Sequence, residues 1–263
     1  SLNPYSQEDN IQEILSEALY DSISKHLVSD VPIGAFLSAG IDSSSIVGVA
    51  AQILKKNGSQ LHTITLAFDE FSKTLNDESP FASEVASLYK TKHSTRVISK
   101  QMFDSNIEHI LDIMDQPSVD GINTWFVSES AKKKGLKVML SGLGGDELLG
   151  GYSSFKRIPK SVNYLQFFKN FSKFYNDIES IGSKINRFLH LNPKLISLMK
   201  YGNNYSQAYF LSRAVFLPWE LNEILDHEFL DAGLRELSLQ KEMKLRTKEK
   251  YPPRAIISSL GYV

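Results

Sequence analysis

Apolar positions along the chain switch between two periods. From 6 to 29 they recur every three or four residues, placing Ile11, Ile14, Leu15, Ala18, Leu19, Ile23 and Leu27 on one face and predicting an amphipathic helix. Ile33-Gly-Ala-Phe-Leu-Ser38 is a short apolar run ending in a small residue, the pattern of a buried strand. Helical spacing returns over 43–56 through Ile46, Val47, Ala50, Ile53 and Leu54, and Asn57-Gly58 stops it. The alternation continues with a β-branched strand at 61–68, a helix at 78–90, a strand at 93–98 and a helix at 100–114. A helix at 122–134 and a strand at 136–141 follow.

Strands alternating with helices of this length imply βαβ units and a parallel sheet covered on both faces. Ligands on such sheets bind at the carboxyl ends of strands, where the strand order reverses. The residues after Leu37 and Leu140 are therefore the first candidates for chemistry. Past about residue 155 the alternation stops. Tyr164, Phe167, Phe168, Phe171, Phe174, Tyr175 and Ile178 recur at helical spacing, which reads as helix core, with an adenine or partner platform as the sharper alternative. Residues 241–250 read as a solvated charged face. The expected organisation is an α/β domain at 1–155 followed by a mostly helical region at 156–263.

Composition narrows the function classes. The net charge is −1, from 29 basic and 30 acidic residues among 263, so nothing global draws the chain to nucleic acid or an anionic membrane. No apolar run approaches the ~20 residues that span a bilayer. The N-terminus carries no charged-then-apolar signal pattern, so a cytoplasmic location is expected. There is no cysteine, which excludes disulfides, thiolate metal sites and a Cys nucleophile within this chain. The six histidines are scattered without an i,i+4 pair and read as structural or exposed.

Two loops carry the candidate chemistry. Phe36-Leu-Ser-Ala-Gly-Ile-Asp-Ser-Ser-Ser45 joins a predicted strand to a helix, where unpaired N–H groups and the positive end of the helix dipole favour phosphate. Ser38, Ser43 and Ser44 add hydroxyls, and Gly40 lets a ligand approach the backbone. A carboxylate at Asp42 would repel phosphate unless a divalent cation bridges the two; alternatively Asp42 or Ser43 is an ordinary helix cap. Leu140-Ser-Gly-Leu-Gly-Gly-Asp-Glu-Leu-Leu-Gly-Gly-Tyr152 holds five glycines in ten positions, with Asp146 and Glu147 able to bind a hard cation. Its bland reading is a tight strand–helix connection with Asp146 as cap. Neither loop is a Walker motif, and no Gly-x-Gly-x-x-Gly opens the first helix.

At these loops the sequence resembles a known family. Ser38-Ala-Gly-Ile-Asp-Ser43 is similar to the Ser-Gly-Gly-x-Asp-Ser loop of the ATP pyrophosphatases. Ser141-Gly-Leu-Gly-Gly-Asp-Glu147 with Gly150-Gly-Tyr152 resembles the second signature of the asparagine synthetases. The resemblance covers roughly residues 31–155. It implies a three-layer, parallel-sheet PP-loop ATP pyrophosphatase fold of the adenine-nucleotide-hydrolase-like class. It also implies that Ser38, Ala39, Gly40, Ile41, Asp42, Ser43 and Ser44 surround the ATP pyrophosphate. Leu66 contacts adenine through its backbone, and Ser141 and Gly142 lie where nucleotide and substrate meet. Asp42 and Asp146 hold Mg²⁺, and Asp146 and Glu147 serve catalysis. ATP would adenylate a carboxylate, the aspartate side chain first among them, for attack by ammonia. A glutaminase domain is expected in the full-length protein, and a homodimer is left open.

Three departures qualify that implication. Ala39 replaces the first glycine of the usual pair, which requires a negative φ. Leu143 stands where asparagine synthetases carry a catalytic Glu and β-lactam-forming relatives a Tyr; it cannot transfer a proton, which counts against asparagine as the product unless Glu147 substitutes. The chain also lacks the downstream Glu-x-Arg-x-Pro-x-x-Asp segment and later Lys, so it is expected to be an excised fragment. A synthetase amidating another carboxylate, and an ATP-binding regulatory domain without turnover, are the rival readings.

Overall fold

The computed structural model describes residues 10–115, 118–167, 204–216, 218–221 and 223–237. The chain divides into two compact units, Ser1–Leu143 and Gly144–Val263.

In the first unit, helix α1 (Ile11–His26) precedes strand β1 (Ile33–Phe36), helix α2 (Ile41–Lys56) and strand β2 (His62–Phe68). A single 3-10 turn at Asp69–Phe71 leads to α3 (Ser79–Leu88), β3 (Lys92–Ile98), α4 (Lys100–Ile113), α5 (Val119–Lys133) and β4 (Val138–Leu140). The strands form one parallel sheet in the order β3-β2-β1-β4. The chain builds outward from β1 to β3, then returns to the other side of β1, so the strand order reverses between β1 and β4.

Side chains alternate across the sheet, as a period of two requires. Ala35 and Leu37 enter a core with Val47 and Ala50 of α2, Ala82 and Ala86 of α3, and Ile23 of α1. Phe36 and Ile64 face the opposite way, against Ala131 of α5 and Leu136. Farther along that second face, Ile98, Ile110 and Phe126 close a cluster with Leu66, Phe68, Phe103 and Trp125. Helices on both faces of a parallel sheet give the three layers expected. A Cβ at Gly34 would come 2.5 Å from the sulfur of Met139, its register partner on β4, so a larger residue there must push that side chain aside.

The element order matches the apolar pattern, with end shifts of a few residues; 1–9 lie outside the described residues. α2 begins at Ile41, two residues earlier than its apolar pattern indicates, which draws Asp42 and Ser43 into its first turn. Serine caps set the starts of α4 and α5: Ser99 Oγ accepts from the Met102 N–H and Ser118 Oγ from the Gly121 N–H.

In the second unit, α6 (Gly145–Leu149), α7 (Ser154–Phe167), α8 (Tyr205–Arg213), one helical turn at Pro218–Leu221 and α9 (His227–Leu237) are described. No strand occurs among its described residues. Phe155, Ile158 and Val162 of α7 pack against Ala208 of α8. Of the aromatic stripe, Tyr164 is exposed, and the positions from Phe168 to Ile178 lie outside the described residues, as does 241–250.

Candidate functional site

β1 ends at Phe36, and its end is tied to β2 twice: Leu37 N–H donates to the Ile64 carbonyl at 2.9 Å and the Thr65 hydroxyl donates to the Leu37 carbonyl at 2.6 Å. After four intervening residues α2 starts at Ile41. Its N-cap is Gly40, extended at φ −66° and ψ 150°, with no side-chain cap. The reading of Asp42 or Ser43 as that cap is thereby overturned, since both lie inside the helix. The first intrahelical bond runs from Ser44 N–H to the Gly40 carbonyl, so the helix supplies no acceptor for the N–H groups of its first turn.

The loop between is held by its own serines. Buried Ser43 Oγ accepts from Ser38 N–H at 3.2 Å, lies 2.9 Å from Ser38 Oγ, and is 3.0 Å from the Ser38 carbonyl. Gly40 N–H donates to Ser38 Oγ at 3.2 Å. The Ser43 hydroxyl is thus taken up in shaping the loop, leaving its backbone N–H to meet a ligand. Ser44 behaves differently: its Oγ is buried and makes no hydrogen bond among the described residues. Buried hydroxyls are ordinarily paired. Ala39 meets its requirement, because only Lys73 and Lys90 among the described non-glycine residues have positive φ. Ile41 projects into solvent at 84% exposure.

The second loop leaves β4 at Leu140, beside β1. Ser141 Oγ accepts from Leu143 N–H at 3.3 Å. Gly142 lies directly on the start of α2: a Cβ there would fall 2.9 Å from the Ser43 nitrogen and 3.2 Å from the Asp42 carbonyl carbon. The two strand-end loops therefore touch backbone to backbone at the strand-order reversal, as the sheet rule requires. Leu143 beyond it is 82% exposed.

Leu66 lies near the carboxyl end of β2. The bond from Leu37 shows that the Ile64 peptide faces β1, and a period of two turns the Leu66 peptide the same way. The β1 register ends at Phe36 opposite Ile64, so β1 has no residue opposite Leu66. Its backbone is left at the sheet edge next to the serine loop.

In the second unit, Gly144 caps α6 with φ 92°, and Gly150 ends it with φ 74°. Asp146 is in the first turn of α6 and not at its cap, which overturns the capping reading. The Asp146 carbonyl accepts the N–H groups of Gly150 and Gly151, and a Cβ on Gly151 would collide with the Asp146 carboxylate. Tyr152 donates its hydroxyl to Glu147 at 3.0 Å, and the Arg213 guanidinium sits 5.3 Å from the Tyr152 ring centroid. Burial, and then the Glu147 hydrogen bond, push the Tyr152 hydroxyl pKa upward. Sequence patterning did not single out Arg213; it comes from α8, more than 50 residues after the loop, and no local signal marks it.

No group of three or more His, Asp or Glu side chains with metal-holding geometry occurs among the described residues. Mg²⁺ does not need one, because it keeps several waters and takes one or two carboxylates plus phosphate oxygens. Asp42, half-buried in the first turn of α2, is suited to that part.

A family model described as asparagine synthase matches residues 15–215. The chain is 31% identical over 242 residues to a protein of Methanocaldococcus jannaschii named putative asparagine synthetase (glutamine-hydrolyzing) 2, covering 91% of this chain and 41% of that protein. It is 37% identical over 168 residues to asparagine synthetase (glutamine-hydrolyzing) 1 of Bacillus subtilis, covering 60% of this chain and 25% of the relative. It is also 29% identical over 161 residues to a Gibberella zeae protein named amidase chry2, covering 57% and 24%. The chain spans less than half the length of these relatives.

Proposed function

The chain belongs to the asparagine synthase family, and on that premise we propose that it is the ATP-binding ligase domain of an amide-forming enzyme. The observation that carries this reading is the meeting of the two loops at the start of α2. There the open start of α2, with Asp42 and Ser43 in its first turn, meets the Gly142 backbone. Ser38, Gly40 and the first-turn amides of α2 receive the pyrophosphate, with Ala39 and Ile41 forming the loop around it. Leu66 offers its peptide edge to adenine, and Ser141 and Gly142 approach the α-phosphate. Asp42 and Asp146 are the proposed carboxylates for Mg²⁺, which neutralises phosphate charge when bound.

In the proposed reaction an acceptor carboxylate attacks the α-phosphorus, and pyrophosphate leaves. Ammonia then attacks the acyl carbon of the adenylate, and AMP leaves. The domain's contribution is alignment and fixed electrostatics. Glu147, oriented by Tyr152, is the proposed proton acceptor from the amine. Aspartate is the first candidate acceptor, from the names of the relatives. Those names also imply ammonia released from glutamine, which this cysteine-free chain must receive from a glutaminase domain.

A second reading changes the acceptor, and the exposed Leu143 favours it. An 82% exposed apolar side chain at the mouth of the loop, where the family's Glu is expected, suits a carboxylate partner other than aspartate. Carboxylate-dependent ATP–pyrophosphate exchange tests both readings. Exchange with aspartate supports the first, and exchange with another acid alone supports the second. Mg-ATP binding without exchange for any acid would leave a nucleotide-binding domain without turnover.

A further inference from the structure

A cleft of about 400 Å³ opens at the carboxyl ends of β2 and β3, between them and α4 and α5. None of its lining residues belongs to the serine loop, the glycine loop or Leu66. It also lies on the other side of β2 from the nucleotide edge, since the Leu66 peptide faces β1 whereas β3 and α4 bound the cleft. We propose that this cleft binds an organic ammonium ion, a primary amine with a compact apolar body.

Its walls carry the argument. Phe68, Phe71 and Phe103 line it, with buried Ile98 beside them. Phe68 and Phe71 meet edge to face, centroids 6.1 Å apart. Phe71 remains 42% exposed, an aromatic ring left open at a concave surface. The volume matches a small ligand. The charges then select among ligands. The lining holds two carboxylates, Glu70 and Asp104, against one ammonium, Lys100. Lys100 and Asp104 satisfy each other at 3.4 Å. Glu70 has no ion-pair partner among the described residues. The surplus is one carboxylate at the edge of an aromatic cleft. An anion would meet uncompensated like charge, and a neutral arene would gain nothing from Glu70. An ammonium gains both from Glu70 and from the negative faces of the rings. An amine is also what an amide-forming ligase consumes, but the binding claim does not depend on that reading.

The probe is phenethylamine, with phenylacetate and benzyl alcohol as anionic and neutral controls of similar size. Trp125 reports binding by fluorescence, since it contacts Phe126 at 5.0 Å and shares a cluster with Phe68 and Phe103. Titration of the 263-residue chain near neutral pH, where the amine is charged, is expected to give a saturable change at millimolar concentration. Phenylacetate should bind about tenfold more weakly or not at all, and Glu70→Gln and Phe71→Ala should each weaken amine binding by roughly fivefold or more. Should Phe71→Ala lose its circular-dichroism signature, the isosteric and exposed Glu70→Gln decides alone. No saturable change, equal binding of amine and phenylacetate, or amine binding untouched by Glu70→Gln would each overturn the proposal. Calorimetry of Mg-ATP with Glu70→Gln keeps the two sites apart: unchanged nucleotide affinity is expected, and parallel loss of both ligands would overturn the cleft as a separate site.

Discussion

At Gly142 even a single methyl is excluded, because a Cβ would stand 2.9 Å from the Ser43 nitrogen, a backbone atom that cannot rotate aside. Relief by backbone shift costs about 1–3 kcal/mol. The shift would move the start of α2, where the phosphate is proposed to sit. Gly142→Ala is therefore expected to weaken Mg-ATP binding roughly tenfold in calorimetry, with the far-ultraviolet dichroism unchanged; undiminished affinity would remove the two-loop junction from the site. Asp42→Asn keeps the shape and removes the proposed metal ligand, so Mg-ATP affinity should fall several-fold, while equal affinity would count against that proposal. Ser44→Ala separates a structural from a binding role. Its Oγ is buried with no protein partner among the described residues, so removing it should leave thermal stability unchanged or raise it, and ATP binding is expected to weaken. A large stability loss would mean that the hydroxyl serves the fold.

At the scale of elements, helix α2 and the β2–β3 pair make the firmest predictions. Gly48 sits in the middle of α2 under the Tyr89 ring, and a Cβ there would approach the ring at 2.7 Å. Alanine in a helix interior normally stabilises relative to glycine by about 1 kcal/mol. Here the added Cβ must displace the Tyr89 ring, which offsets that gain, so Gly48→Ala is expected to stabilise by less than about 1 kcal/mol, and Tyr89→Ala in the double variant should restore the helix gain. Between β2 and β3, buried Thr63 lies 3.0 Å from His93 Nδ1 and 2.8 Å from the Thr91 hydroxyl. Burial holds the His93 pKa below 6.5, and burial with nearby Lys92 and Lys134 does the same for His62. A histidine depressed in the fold binds protons more readily when unfolded, so its stabilising effect is complete above that value and is lost as pH falls through it. The melting temperature should fall between about pH 7 and pH 5.5, and His93→Gln should flatten part of that fall; an identical slope in the variant would exclude the histidine.

On the scale of the whole chain, the absence of cysteine has a consequence for activity. Glutamine hydrolysis in the family uses a thiolate, and these 263 residues contain none. Incubated with aspartate, ATP, Mg²⁺ and glutamine, the chain should form no asparagine; robust product would overturn the assignment of amide release to a separate glutaminase domain. Ammonium in place of glutamine tests the synthetase step, and product there would point to Glu147 doing the work of the Glu that Leu143 replaces. Within the second unit, the Arg213 guanidinium of α8 lies over the ring of Tyr152, whose hydroxyl bonds Glu147.

The order of strands and helices was legible in the sequence because burial on a pleat or a helix imposes its own period, and Ala35, Phe36 and Leu37 alternate faces as that period requires. The two loops were legible because glycine and serine between a buried strand and a helix have few other reasons to cluster. Three matters were decided only by the tertiary structure. Which serine hydroxyl the folded loop uses, Ser43, and which it leaves buried without a partner, Ser44, is set by the fold, whereas spacing alone makes them equivalent. The need for glycine at 142 arises from the start of α2, some 100 residues earlier in the chain and brought alongside by β1–β4 pairing. The aromatic cleft draws Phe68, Phe71 and Phe103 from a strand end, a turn and a helix. Local periodicity records only which face each residue shares with its neighbours in sequence, whereas a site is made where elements distant in sequence converge.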